Sequence, residues 1–335
     1  MSRRLHLRFF VEHLRNQQLL VLSARFNTVN NRLAPTVNVP LPAPISVVIP
    51  AHNAEEFIQQ AIESVHDQTL PVAEVIVVAD ACSDDTCAIA KRLGAIVFEG
   101  NFRNISAATN LGVRAAGQEW IALLDADDFW EKRKIEAQWK AVQAFPDAAI
   151  ISCDLYTVFE GRIKKRSRKL LSERHGNLSS PAIVTKQGTY FPRVDGSVLR
   201  WFQVAPPAAL LRRDIFPTVG FFDEHFLHCQ DVEFFARALR FYPLVVIEEP
   251  LVCQRVHNNS HSTNAKESWN AALSVVDRML RHPNEYPPGA GREYREHLKQ
   301  MFVSYERLLA RGTPTSRSFD KNQVVDAQPR NPNQP

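Results

Sequence analysis

Between Ile45 and about Phe145, short apolar runs alternate with segments of helical periodicity, and that alternation restricts the chain to a layered α/β sheet with parallel strands. Parallel neighbours need a crossover between them, and the helices supply it. A strand over Ser46–Ile49 precedes Asn53, a candidate N-cap with Glu56 three residues on, and then Ile58, Ala61, Ile62 and Val65 at i, i+3, i+4, i+7 predict a helix. A second strand, Glu74–Ala79, ends at Asp80; Ser83 is placed to cap a helix that stops at Gly94, and Ala95–Phe98 makes a third strand. A helix over Ser106–Ala116 ends at Gly117, and Trp120–Leu124 is the fourth strand.

In open sheets of this kind, ligands sit beyond the carboxyl ends of the strands. The residues there are Pro50-Ala51-His52-Asn53, Asp80 and the run Asp125-Ala126-Asp127-Asp128. In the last, an apolar strand stops in three carboxylates that no residue of the run neutralises. Carboxylates two residues apart on an extended segment or tight turn can both face a hard divalent ion such as Mg²⁺ or Mn²⁺, which accepts phosphate oxygens as its other ligands. The alternative is a solvated acidic turn. No Gly-x-Gly-x-x-Gly and no Walker loop follows any of the strands, which disfavours nicotinamide and P-loop chemistry and leaves a metal to hold phosphates.

Composition narrows the class further. Apolar content of 45% in 335 residues can bury one large core or two modest ones. Residues 1–44 carry +5 of the net +4, leaving the remainder near −1, so nucleic acid is not an expected partner. The five cysteines show no Cys-x-x-Cys spacing, which speaks against a disulfide framework or zinc site and for a reducing, cytoplasmic setting. No apolar stretch approaches a membrane span. Residues 4–30 can form a basic amphipathic helix with Leu7, Phe10, Val11, Leu14, Val21 and Leu22 on one side, suited either to packing on the domain or to peripheral contact with an anionic membrane face.

The expected organisation is an N-terminal helix and Pro-rich link (1–44), a strand–helix half that ends in the acidic run (45–150), a mixed half (151–262), C-terminal helices (263–311) and a polar tail (312–335) that composition marks as disordered. The mixed half reads as one or two strands over Ala149–Phe159, a loop-rich stretch with the basic run Lys164-Lys165-Arg166, strand at Ala208–Leu211, helix at Asp231–Phe241 and strand at Leu244–Ile247.

Four ordered blocks resemble the inverting glycosyltransferases of family 2, which have the GT-A fold. They are Val47-Val48-Ile49-Pro50-Ala51-His52-Asn53, Val77-Val78-Ala79-Asp80-Ala81-Cys82-Ser83-Asp84-Asp85-Thr86, Asn110-Leu111-Gly112 leading into Leu124-Asp125-Ala126-Asp127-Asp128, and Gly220-Phe221-Phe222-Asp223-Glu224 followed by Gln230-Asp231-Val232-Glu233-Phe234. The resemblance covers roughly residues 45–260. It implies a Rossmann-like, mostly parallel sheet with helices on both faces, and metal-dependent transfer of a sugar from a nucleotide-diphospho-sugar, expected to be a UDP-sugar, to a saccharide or lipid-linked hydroxyl. It further implies that Asp127 binds Mn²⁺ or Mg²⁺, that Asp125 contacts the ribose, the metal or both, and that Pro50, His52, Asn53 and Asp80 hold the nucleotide, Asp80 accepting from the base N3–H. Asp231 occupies the position of the general base, and His257 fits the family's downstream histidine that reaches the metal or diphosphate, with His261 second.

By that resemblance residues 45–150 form the donor half and 151–262 the acceptor half. Three departures from the family pattern fall in the first, His52 where tyrosine is usual, Cys82 where a turn glycine is usual and Thr109 in place of an arginine, and one in the second, Gln230 in place of a glutamate. Two other readings stay open at this level. A nucleotidyltransferase shares the layered fold and acidic metal site but ordinarily has a Gly-rich basic loop after its first strand. A degenerate sugar-nucleotide binder accounts for Cys82 and Gln230 but not for the retained Asp125, Asp127 and Asp231.

Overall fold

The computed structural model describes residues 41–159, 162–166, 178, 180–201, 204–257 and 265–310. The expected N-terminal helix over 4–30, the polar tail and His261 lie outside these. The sheet opens with β1 (Ala43–Ala51), which is buried along nearly its whole length because helices cover both of its faces. Parallel to it on either side run β2 (Val72–Asp80) and β4 (Trp120–Leu123), and β3 (Ile96–Gly100) pairs parallel with β2.

Alternation along β1 decides which helix packs where. Ile45, Val47 and Ile49 share a core with Ile58, Ala61, Ile62 and Val65 of α1 (Ile58–His66), Ala90 of α2 (Thr86–Arg92) and Ile135 of α4 (Lys134–Ala144). Val48 points the other way, onto α3 (Ile105–Ala115), where a Cβ at Gly112 would lie 2.4 Å from Val48 Cγ1. Only glycine lets α3 approach the sheet that closely.

The four apolar positions expected to face the core in α1 are all buried, but its start differs from expectation. The helix begins at Ile58, and Asn53 does not cap it; Asn53 sits at φ 45 and accepts from Ser83 N instead. Nor does Ser83 cap α2. Asp84 Oδ1 accepts from Thr86 N at 3.1 Å, because the tight turn after β2 brings that carboxylate back over the first helical N–H. For α3 the N-cap is Asn104, whose side chain accepts from Ala107 N.

Beyond β4 the sheet turns mixed. Strand order is β3-β2-β1-β4-β10-β6-β11-β9-β8, with β10 (Leu210–Arg212) antiparallel to both β4 and β6 (Ile150–Phe159). β11 (Leu244–Val256) runs parallel to β6, and the short β5 (Phe129–Trp130) pairs antiparallel with its far end. β7 (Arg162–Arg166) pairs with β6, and the hairpin β8 (Ile183–Thr185)–β9 (Gly188–Phe191) closes the other edge. A strand was expected only as far as Ile247; β11 continues to Val256 past register irregularities around Pro250, and so brings His257 back to the carboxyl end of β4.

The remaining helices are α5 (Gly196–Trp201), the short α6 (Phe216–Val219), α7 (Gln230–Ala238), α8 (Ala265–Arg281) and α9 (Ala290–Ala310). No helix among the described residues is long and apolar enough to cross a membrane.

Candidate active site

At the carboxyl ends of β1 and β2 two loops hold each other. Pro50 lies buried within β1, opposite Val78 of β2. Asp80 O accepts from His52 Nδ1 at 2.6 Å, which makes Nδ1 the protonated ring nitrogen and Nε2 the acceptor facing Asn53 Nδ2 at 3.4 Å. Asn53 N lies 3.4 Å from Cys82 Sγ, and Asn53 Oδ1 accepts from Ser83 N at 2.8 Å. The Cys82 thiol, pushed up chiefly by burial, stays protonated in this setting.

Asp80 is 4% exposed, and its carboxylate accepts from three consecutive backbone N–H groups: Phe102 and Arg103 on Oδ1 at 2.6 and 2.9 Å, and Asn104 on Oδ2 at 2.9 Å. Within the protein it organises the loop between β3 and α3. A cavity of about 340 Å³ opens beside this loop, bordered by Cys82, Glu99, Asn101 and Arg103.

Past β4, Leu124 N still donates to Val48 O, and a turn closed by Asp128 N→Asp125 O at 3.0 Å presents the carboxylates. Asp125 faces Asp127 and Asp231; burial first, and then those two charges, push its carboxyl up to about 8. Asp128, 2% exposed, is raised well above the usual range by burial and then by Asp125 and Asp127. Its Oδ1 accepts from Arg255 N at 2.9 Å, so it ties the turn to the end of β11. Arg255 Nη1 donates to Asp127 O at 2.5 Å, Nη2 donates to Gln60, and the guanidinium lies 4.8 Å from the Phe129 ring centroid. His257 then places Nε2 3.0 Å from Asp127 Oδ2, its ring stacked 4.7 Å from Phe57.

Asp231 arrives from the other side, in the first turn of α7. Cys229, two residues before it, stands at the N-cap position with φ 57 and no side-chain capping bond, and burial followed by the Asp231 charge pushes the Cys229 thiol up to about 12. Asn53, Ala81, Arg103 and Cys229 are the non-glycine residues with positive φ among those described. Three flank Asp80 and one introduces Asp231. At roughly 1–2 kcal/mol each, such conformations persist where the surrounding structure enforces them, as it does at functional sites.

Crowded carboxylates of this kind are costly without a cation, and the donor set suits one. Among the described residues no three His, Cys, Asp or Glu side chains are grouped to hold a metal ion unaided. Asp127 and His257 converge as a pair, however, and a hard divalent ion ordinarily takes one or two protein carboxylates and completes its shell with substrate phosphate and water. The residues therefore fit Mn²⁺ or Mg²⁺ bound together with a diphosphate. Asp128, one of the three clustered carboxylates, supports the turn, whereas nothing in the sequence singled out Arg255 and Phe57 as parts of this arrangement. The signal for Arg255 was its place two residues before His257 on an extended strand, which puts both side chains on one face.

Residues 46–218 match the family model described as "Glycosyl transferase family 2". The chain is 34% identical over 101 residues to the putative teichuronic acid biosynthesis glycosyltransferase TuaG of Bacillus subtilis, covering 28% of this chain and 40% of that protein. It is 32% identical over 98 residues to the UDP-Glc:alpha-D-GlcNAc-diphosphoundecaprenol beta-1,3-glucosyltransferase WfaP of Escherichia coli, covering 28% of this chain and 39% of that one. The matched stretch thus spans about two fifths of either relative. Among solved structures, the mannosyltransferase PcManGT of Pyrobaculum calidifontis in complex with GDP-Man and Mn²⁺ superposes with a TM-score of 0.55 at 15% identity, covering 96% of this chain and 88% of that one. At that identity the likeness concerns the fold, which is GT-A.

Proposed function

This chain belongs to glycosyl transferase family 2 and is a glycosyltransferase, and we propose that it transfers a sugar from a UDP-sugar, with inversion and with a divalent metal, to a hydroxyl of a saccharide or lipid-linked acceptor. The observation that carries the reading is that Asp125 feels the charges of both Asp127 and Asp231, which two distant parts of the chain contribute. Family membership removes the nucleotidyltransferase alternative, and the retained trio speaks against a merely degenerate binder.

In this reading Asp127 and His257 hold Mn²⁺ or Mg²⁺, and Asp125 reaches the ribose, the metal or both. When bound, the ion supplies the positive charge that neutralises the departing diphosphate. Asp231 takes the acceptor hydroxyl's proton as that oxygen attacks the anomeric carbon from the face opposite the diphosphate, which inverts the configuration. Asp80, His52 and Asn53 line the nucleotide end, with Pro50 shaping the strand beneath them. Among the described residues Asp80 Oδ2 accepts one bond, from Asn104 N, so it keeps capacity for a base N3–H.

The UDP donor is supported by the UDP-Glc in the name of the relative WfaP, and a polymer or lipid-diphosphate acceptor by the names of WfaP and TuaG. A cytoplasmic setting, with peripheral membrane contact through residues 4–30 as an option, accords with five free cysteines. The test is a panel of UDP-, GDP- and dTDP-sugars assayed for nucleotide release with and without Mn²⁺, followed by proton NMR of the anomeric centre in the product. Metal-dependent turnover of a UDP-sugar with inverted configuration is expected. A retained configuration removes Asp231 as an inverting base, and turnover indifferent to chelation removes the metal.

A further inference from the structure

Two of the recognisable sequence blocks have no chemical role in the account above, Asn110-Leu111-Gly112 and Gly220-Phe221-Phe222-Asp223-Glu224. They meet in space. Asn110, 1% exposed on α3, donates from Nδ2 to Phe222 O at 2.9 Å and to Glu224 Oε1 at 3.0 Å, and accepts on Oδ1 from Phe222 N at 3.0 Å. A second asparagine repeats the link from the start of the same helix, Asn104 Nδ2 donating to Glu224 O at 2.8 Å. Asn104 is also one of the residues whose N–H the Asp80 carboxylate holds.

The 220–224 segment is fastened equally firmly to α7. Arg237 donates from Nη2 to Phe221 O at 3.0 Å and from Nη1 to Val219 O, while Nε and Nη2 form a two-pronged pair with the fully buried Glu233 at 2.8 Å each. Glu233 accepts from Tyr286 OH at 2.8 Å, and Arg278 bonds Asp223 at 2.6 Å. The Phe222 and Phe234 rings stack with centroids 4.0 Å apart. Glu233, Phe234 and Arg237 all lie on α7, the helix that carries Asp231.

A rigid link therefore joins α3, packed on the donor-side strands through Gly112, to the helix that carries the proposed base. We infer that Asn110 is a positioning residue: through Phe222 and Glu224 it fixes where Asp231 stands relative to the sugar donor. This rests on the reading of Asp231 as the base. It asks nothing of Asn110 in donor binding, since its amide is consumed within the protein.

The amide geometry is specific. A carboxylate in its place keeps shape and one acceptor but loses both donations and opposes the charge of Glu224. Displacement of a reacting group by about 1 Å can cost on the order of 100-fold in rate without weakening the binding of substrates it does not touch.

The experiment compares wild type, Asn110→Asp, Glu224→Gln and the double variant, using a UDP-sugar the enzyme turns over, with Asp231→Asn alongside. For Asn110→Asp, kcat for transfer is expected to fall at least about tenfold, with donor KM and calorimetric affinity for UDP and Mn²⁺ held within about twofold. In the double variant the amide donor is supplied from position 224, and part of the lost kcat returns. Glu224→Gln alone keeps the two Phe222 bonds and lowers kcat only severalfold, which provides a reading should Asn110→Asp not fold.

A lowered melting temperature with unchanged kcat, or donor KM rising in step with the loss and no rescue in the double variant, overturns the positioning role. If Asp231→Asn itself turns over at the wild-type rate, the base assignment fails first and takes this inference with it. If Asp231→Asn is inactive while Asn110→Asp keeps full kcat, only the inference falls.

Discussion

His257 Nε2 lies 3.0 Å from Asp127 Oδ2, a contact between residues 130 positions apart that exists because β11 returns antiparallel to β5, beside the turn that ends β4. The stacked Phe57 ring fixes the imidazole plane, so the pair is preorganised rather than assembled by the ligand. For His257→Ala we expect the Mn²⁺ concentration giving half-maximal transfer to rise roughly 10–100-fold while kcat at saturating metal is largely recovered. A metal titration of initial rates checks this.

Asp125 predicts a conflict between stability and activity. Its folded carboxyl is raised to about 8 from 3.8, so the metal-free folded state holds a proton that the unfolded chain has already released across that interval. Stability of the chelated protein is therefore present at low pH and is lost as pH rises toward about 8. Asp125→Asn should raise the melting temperature in EDTA at pH 8, more than at pH 5, and should abolish transfer. Scanning calorimetry at the two pH values, with an activity assay, measures both sides.

Lys134 is fully buried without a carboxylate partner among the described residues, its Nζ 2.9 Å from Gln138 Oε1 and 3.7 Å from the Trp130 ring centroid. Burial lowers its ammonium from 10.5 to about 8. Between those values the unfolded chain binds the extra proton, so this residue makes stability rise with pH from about 8 upward. The rise is at most about 3 kcal/mol. Lys134→Met should stabilise the protein at pH 7 and flatten the pH dependence between 8 and 9.5. Denaturant melts at those pH values test it.

Asp80→Ala leaves three backbone N–H groups of the 102–104 loop without their acceptor. Since hydrogen bonds to charged groups contribute about 1.5–3 kcal/mol each and are not additive, a loss of about 2–4 kcal/mol is expected. UDP affinity should fall as well, because the loop borders the nucleotide end. Urea unfolding and calorimetric UDP titration separate the two effects.

Local sequence made the donor half legible. The spacing of Ile58, Ala61, Ile62 and Val65 placed the buried face of α1, and continuous apolar runs marked β1, β2 and β4 as central parallel strands. Caps were misjudged where a side chain had a distant alternative: Asn53 bonds Ser83 rather than its own helix, a competition that only the tertiary fold decides. The reach of β11 to Val256 was hidden by Glu248-Glu249-Pro250, which read as a strand end but is absorbed as a register irregularity. The contact between Asp128 and Arg255 was equally out of reach, because it depends on that extension. The carboxylates themselves were conspicuous, since an apolar strand ending in three acids needs a compensating partner whatever the fold.

The central claim is that Asp127, with Asp125 and Asp231 about it, holds a divalent ion and a nucleoside diphosphate as one unit. Calorimetric titration of UDP into the wild type and Asp127→Asn, each with Mn²⁺ and with EDTA, tests it most directly. The account predicts binding to the wild type that requires Mn²⁺ and a loss of at least about tenfold in affinity in the variant. Equal affinity for UDP in EDTA, or Mn²⁺-dependent binding unchanged in Asp127→Asn, would contradict it.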